Sequence, residues 1–410
     1  MAALPAAPGS KLVNATSGGS PDWLLGPLRF AGLGAAHGRL AGPLFYAALW
    51  VALILYALVL RGAGGLPVRG AIAAIVAMHV VFLLAPPLLS HDVFSYIAYA
   101  RLGAANHLNP YTHAPIDIPY DPGFTHSGSI HAVSAYGPVF TLLTYPLSPL
   151  GVPTAFWILK AVAAVASLGI VALVWRLAER LAHDPLPAAL AVGLNPLVLV
   201  HVVGGAHNEA LTVLITMIGV ALWLGTRKTA GVAVATAAAG IKASAGLVVP
   251  FLVAGDRLRA RRAVVAALIT LCGLALIGLG AFGAHALDAF SLISSNQNRT
   301  SRFSLPYKTA QLLGALLPGG RRDYTGAVRA AYATMFVLTF VWLLVRTWRG
   351  VTAPIDAIGW ATLAILLASA WLVPWYILWL LPFAALSRDR RLQLATLALC
   401  AWMLAIAVPL

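Results

Sequence analysis

The sequence predicts an all-α polytopic membrane protein, on three observations: its composition, the length of its uncharged runs and the placing of its basic residues. Of 410 residues, 60% are hydrophobic and 10% charged, where a soluble domain carries about a quarter charged residues. A soluble chain so composed has too few polar groups to cover its core, whereas in lipid the solvent itself is apolar. Runs 43–60, 71–89 and 264–282 hold no charged side chain, and each approaches the ~20 residues with which a helix crosses the hydrocarbon core. The net charge is +15, from 27 Lys and Arg against 12 Asp and Glu. Fifteen of those basic residues fall in six short loops: Arg61 and Arg69; Arg176 and Arg180; Arg227 and Lys228; Arg257, Arg259, Arg261 and Arg262; Arg346 and Arg349; Arg388, Arg390 and Arg391. The tendency of basic loops to stay inside places these in the cytoplasm and accounts for the charge without a nucleic-acid partner.

Along the chain, residues 1–41 read as a Gly-, Pro- and Ala-rich mobile tail with a short interfacial stretch near 23–30, and 42–410 as one transmembrane domain. No cleavable signal peptide is visible. Spans are predicted at 43–60, 71–89, 154–175, 186–203, 208–225, 262–283, 327–345, 354–372, 374–386 and 393–409. The stretch 229–254 lies between two basic loops, so it must enter and leave on one side, as two short helices with Lys242 near the turn. The apolar stretch 137–150, bounded by Pro138 and Pro149, reads as a partial or re-entrant helix. A short helix is predicted over 93–106, with Phe94, Tyr96 and Tyr99 at the lipid interface, where aromatic rings with polar tips are favoured. Cys272 and Cys400 sit inside apolar spans and read as small hydrophobes.

With the basic loops inside, the outer face receives four polar segments: 90–136, 204–209, 285–323 and the region of Pro374. Eight of the 11 histidines lie in or beside them. One face is chemically plain and the other loaded, which predicts a site at the outer membrane surface.

Asp92 follows the second span directly, and two compatible roles fit it: N-cap of the next helix and general base facing a substrate. His91 adjoins it and Tyr96 follows one turn on. His207, Asn208 and Glu209 begin a span after Gly204, Gly205 and Ala206. The glycines permit close backbone approach and the helix start favours an anion, while Glu209 also suits the helix dipole by itself. Arg299, Arg302 and Lys308 are cations on an outer loop, against the charge trend. They fit either a substrate phosphate or anionic headgroups. Trp371, Trp375, Tyr376 and Trp379 form an aromatic cluster at a span boundary, suited to an interfacial belt or to stacking on a sugar. His91, His107, His113, His126 and His131 share one segment, but none stands at the i,i+4 spacing with a carboxylate that a zinc helix needs, so no metal is expected.

Five motifs in order carry a resemblance: Asp92-Val93-Phe94-Ser95-Tyr96; Asn109-Pro110-Tyr111; Tyr136-Gly137-Pro138; Gly204-Gly205-Ala206-His207-Asn208-Glu209; and Pro374-Trp375-Tyr376. The chain resembles the polyprenyl-phosphate-mannose-dependent mannosyltransferases of the GT-C class, most closely the actinobacterial α-(1→6)-mannosyltransferases of lipomannan synthesis. The resemblance implies a bundle of about 10–13 transmembrane helices with a long first outer loop holding short interfacial helices. It implies a multi-pass protein of the plasma membrane that moves mannose from polyprenyl-phosphate mannose to a mannan or glycolipid acceptor outside the cytoplasm, with inversion and no cofactor. In that family an acidic residue of the first large outer loop is the base, and Asp92 is the matching position; His91 precedes it, so an adjacent pair of acids is absent. The donor phosphate then falls to Arg299, Arg302, Lys308 and Lys242, and substrate contacts to His91, Tyr96, His207, Asn208, Glu209, Trp375 and Tyr376. Rival readings are a transferase using another polyprenyl-phosphate sugar, and a transporter or flippase. A transporter calls for charges near the membrane midplane and related halves, and only Lys160 and Lys242 are candidates for depth.

Overall fold

A computed structural model describes residues 1–6, 12–13, 21–31, 41–287 and 301–407. Among them the chain is helical, with a single isolated bridge between Val13 and Leu88 and no strand. The helices are α1 (Asp22–Leu25), α2 (Ala41–Arg61), α3 (Val68–Leu83), α4 (Asp92–Ala104), α5 (Pro138–Thr144) and α6 (Gly151–Arg180). Then come α7 (Pro185–Gly193), α8 (Glu209–Leu224), α9 (Lys228–Ala237), α10 (Val249–Ala254) and α11 (Ala260–Phe282). The last are α12 (Leu305–Leu316), α13 (Arg321–Trp348), α14 (Pro354–Ala368), α15 (Ile377–Leu386) and α16 (Arg390–Ala407).

Four helical segments are long and apolar enough to cross a membrane: Gly42–Arg61, Pro138–Arg180, Arg257–Ala286 and Arg321–Trp348. Three of them, Gly42–Arg61, Arg257–Ala286 and Arg321–Trp348, lie mostly unburied, and side chains such as Ile269 and Leu276 on α11 and Leu338 and Trp342 on α13 are exposed. Only an apolar solvent makes such a surface favourable. The protein is therefore an all-α polytopic membrane protein.

Several predicted spans are shorter than the sequence suggests. Span 71–89 ends as helix at Leu83, ahead of Pro86 and Pro87, which cannot continue it. Span 186–203 is broken at Asn195 and Pro196 and resumes as a turn of π-helix, Val198–Val203. Span 354–372 stops at Ala368, and 374–386 opens as a short 3₁₀ turn at Pro374. The stretch 229–254 does form two helical arms with Lys242 between them. The segment 137–150 is a seven-residue α-helix and a 3₁₀ turn leading into α6. Irregular backbone at membrane depth survives only where protein or a cavity surrounds it. The breaks at 84–91, 194–207, 238–248 and 369–376 all border one cavity or the side chains behind it.

The connections collect at two ends. At one, basic loops are clamped by the pairs Lys228–Asp256 (3.2 Å) and Arg259–Asp256 (3.0 Å) and by hydrogen bonds from Trp360 to Asp389 and Ser387 to Asp356. Those pairs hold the Asp256 carboxyl below the ordinary range despite some burial, which raises it. At the other end, residues 105–137 fold back on α4. Tyr99 donates to the Ala132 carbonyl (2.8 Å), Arg101 pairs with Asp121 (2.6 Å), and Asn109 ties the loop to the end of α11 through the Phe282 carbonyl (2.8 Å).

Two expectations need correction here. Phe94, Tyr96 and Tyr99 do not face lipid; all are buried, because α4 is enclosed by its own loop, α5 and α6. The N-terminal stretch is not wholly a mobile tail. Leu12, Val13, Leu24 and Leu25 are buried, the Leu12 carbonyl accepts from Leu89 N, and Trp23 accepts from the Trp157 indole. Lys160, a candidate for depth, is wholly buried and donates to the carbonyls of Ala85 and Pro86, anchoring the backbone that leads to Asp92.

Candidate active site

Two turns meet at the loaded end. Leu89 (φ 58°) precedes Asp92 and Ala206 (φ 56°) precedes His207, both in the left-handed region that non-glycine residues seldom adopt. A hydrogen bond from Leu88 N to the Gly204 carbonyl (3.3 Å) joins the two turns. Strain of this kind persists where the surroundings over-determine the backbone; here it brings Asp92 against His207.

His207 Nδ1 lies 3.4 Å from Asp92 Oδ2 and 3.8 Å from Glu209 Oε2. The imidazole stacks on Trp375 with ring centroids 3.9 Å apart and 19° between planes. Glu209, wholly buried, forms a salt bridge with Lys242, whose ammonium also lies over the rings of Tyr376 (4.8 Å) and Trp379 (5.5 Å). Behind Asp92, Tyr96 Oη accepts from Asn208 N (3.3 Å) and packs edge-on against Tyr136 and Phe140.

Asp92 does not cap its helix. It occupies the first turn of α4, and the cap position is His91, which makes no side-chain cap bond. The Asp92 side chain is 35% exposed, and it opens on a cavity of about 1470 Å³. Burial by the cavity wall raises the carboxyl's affinity for a proton; the His207 imidazole, then Lys242 and His91, outweigh it and hold the group below the ordinary carboxylate range. It is therefore ionised at neutral pH and able to accept a proton.

The cavity is lined at its polar end by Asp92, Lys242, Trp375 and Tyr376. Its apolar walls come from Leu271, Leu274 and Gly278 of α11 and Ala333 and Phe336 of α13. Arg329 of α13 also lines it. Thus three of the four polar segments predicted from charge bias converge: 90–136, 204–209 and the Pro374 region. His207, Asn208, Glu209 and Tyr96 stand behind the lining residues, and His91 packs beside them. The fourth segment reaches the site through backbone: Ser301 N donates to the Ala370 carbonyl (2.9 Å) and its hydroxyl to that of Leu372. Arg302 and Lys308 do not line the cavity. Arg302 is exposed with its guanidinium 5.5 Å from the Phe303 ring, and Lys308 lies 5.8 Å from the Tyr307 ring. Arg299 lies outside the described residues. The cation that sequence reasoning missed is Arg329. It sits in the third turn of α13 within the predicted span 327–345, and an ionisable residue inside a span is a functional signal by itself. Among the described residues no group of three or more His, Cys, Asp or Glu is placed to hold a metal ion.

Fold and site together define a polytopic membrane protein with an ionised carboxylate lining a large, mostly apolar cavity. Residues 10–255 match the family model described as alpha-(1->6)-mannopyranosyltransferase, N-terminal domain, and residues 307–410 match that of the MptB C-terminal domain. The chain belongs to the alpha-(1->6)-mannopyranosyltransferase family. It is 30% identical to alpha-(1->6)-mannopyranosyltransferase A of Mycobacterium tuberculosis over 358 residues, 80% of this chain and 67% of that protein. It is 32% identical to alpha-(1->6)-mannopyranosyltransferase A of Corynebacterium glutamicum over 189 residues, 43% of this chain and 37% of that protein. With alpha-(1->6)-mannopyranosyltransferase B of the same organism the identity is 25% over 360 residues, 77% of this chain and 58% of that protein. No solved structure matches the chain.

Proposed function

We propose that the chain is a membrane mannosyltransferase that moves mannose from polyprenyl-phosphate mannose to a hydroxyl of a mannan or glycolipid acceptor, forming an α-(1→6) bond on the extracytoplasmic face of the plasma membrane. Residues 42–410 act as one catalytic domain. The observation that carries the reading is the placing of an ionised carboxylate, Asp92, at the polar end of a cavity whose walls are two membrane-length helices. A water-soluble sugar nucleotide has no use for such walls, whereas a polyprenyl chain does, and family membership supports mannose. The acceptor oxygen attacks C1 of mannose, the bond from C1 to the phosphate oxygen breaks, Asp92 takes the hydroxyl proton, and polyprenyl phosphate leaves. One displacement inverts C1, so one base suffices. Lys242 and Arg329, the cations lining the cavity, are suited to hold the phosphate as its charge grows.

Purified protein in nanodiscs, given labelled polyprenyl-phosphate mannose and α-mannosyl acceptors, is expected to yield an extended, labelled acceptor. Transfer only from a different polyprenyl-phosphate sugar would move the reading to that sugar, and no transfer from any would overturn it.

The outward orientation rests on the charge bias of the loops. The exposed residues Tyr120 and Leu258 report on opposite ends. In a Cys272→Ser background, Tyr120→Cys is expected to react with an impermeant thiol reagent in intact cells, and Leu258→Cys only after permeabilisation. The reverse pattern would place the cavity on the cytoplasmic side. Ser301 is a poor reporter, because its hydroxyl and amide are both engaged with 370–372.

A further inference from the structure

We infer that His207, clamped by Trp375, is the positioning residue for the Asp92 carboxylate, an inference that rests on Asp92 being the base. Three observations carry it. First, the same ring nitrogen, Nδ1, faces two carboxylate oxygens, at 3.4 Å on Asp92 and 3.8 Å on Glu209. A lone pair pointed at two anions is repelled by both, so Nδ1 must carry the hydrogen. The contact to Asp92 is long for a hydrogen bond in the free protein, as catalytic contacts often are before substrate closes the site. Second, the ring has no freedom to leave. Trp375 covers one face at 3.9 Å. At the ring edge, a Cβ on Gly205 would stand 2.9 Å from Cδ2 and 2.3 Å from the His201 carbonyl, so only glycine permits the approach. Third, Glu209 is already neutralised by Lys242. With the Glu209 charge offset at Oε1, the Nδ1 hydrogen goes to the nearer oxygen, Asp92 Oδ2, and leaves Oδ1 for the acceptor hydroxyl. His207 itself is wholly buried and does not line the cavity, so it acts through Asp92 rather than on substrate.

Other groups also face Asp92. His91 and Tyr96 come from its own turn and helix, Tyr136 from the stretch before α5, and Tyr376 from the 3₁₀ turn before α15. Lys242, from the turn between α9 and α10, and Glu209, at the start of α8, complete the set. Of these only His91 is a second imidazole, so the two must be separated in any test.

The test is the acid limb of kcat/KM against pH. The base works ionised, so activity is lost as pH falls through its pKa. Removing a donor that favours the ionised form moves that limb to higher pH. His207→Ala is expected to shift it up by about one pH unit, the size of one hydrogen bond to a charged group, and to lower kcat with little change in donor KM. His207→Asn, whose amide nitrogen stands where Nδ1 stood, is expected to restore the limb. Trp375→Leu, which keeps the imidazole but frees it, is expected to shift the limb in the same direction and decides the matter should His207→Ala fail to fold. An unmoved limb in His207→Ala or, failing that, in Trp375→Leu overturns the inference. So does a shift produced by His91→Gln and not by His207→Ala. Asp92→Asn separates the two readings. Near-normal turnover in that variant removes the base itself, whereas an inactive Asp92→Asn with an unmoved limb in His207→Ala removes only the positioning role.

Discussion

Asp92→Asn is expected to lower turnover by at least ~10²-fold, the low end for loss of a general base, with the protein still folded. The amide matches the carboxylate in size and still lines the cavity, but it cannot take a proton. No helix cap is lost, since Asp92 makes none. The measurement is single-turnover transfer from labelled donor, with folding checked by thermal unfolding in the same detergent. Transfer within a few-fold of the wild type would sink the assignment, because no other carboxylate lines the cavity among the described residues.

Lys242→Ala is expected to be the most destabilising of the site substitutions, by about 3–5 kcal/mol, because it strands a buried charge. Glu209 is wholly inaccessible, and the other charged group near it, Asp92, repels it. The control is the double variant Lys242→Ala, Glu209→Gln, which removes both charges. It should recover most of the stability while transfer stays low, since Lys242 also faces the cavity where the phosphate is proposed to bind. A double variant as unstable as the single one would show that the loss comes from packing against Tyr376 and Trp379, not from the stranded carboxylate.

Charge bias and run length were sufficient to read a helical membrane protein with its chemistry gathered at one end. They also placed Lys242 at a turn between short arms, because two basic loops leave an intervening stretch no other course. Asp92, Glu209, His207 and Trp375 were each legible as candidates, since polar groups at span boundaries require a reason. Their partnership was not, because it depends on two left-handed turns at Leu89 and Ala206 that neither residue type announces. Helix ends were misjudged where hydrophobicity continues past a break: apolar residues flank Asn195 and Pro196 on both sides, so hydropathy alone passes straight through. Arg302 and Lys308 draw the phosphate role by sitting against the charge trend, whereas Arg329 lies inside the predicted span 327–345. The burial of Tyr96 was likewise invisible, because an interfacial tyrosine and an enclosed one share the same sequence signal.

The hairpin of α8 and α9 has a consequence for how charge is held in the membrane. The two helices cross at Gly219 and Gly231, where a Cβ on either would come within 2.6 Å of a backbone nitrogen opposite. Small residues at such a crossing let helix backbones pack closely in lipid. Glu209 opens the first arm and Lys242 follows the second, so close packing of the arms brings the two charges together. A carboxylate or an ammonium entering the bilayer alone is costly. A hairpin packed closely at its glycines holds the two charges as one neutral pair. Along the chain the two residues of this neutral pair precede Trp375, the ring that stacks on His207.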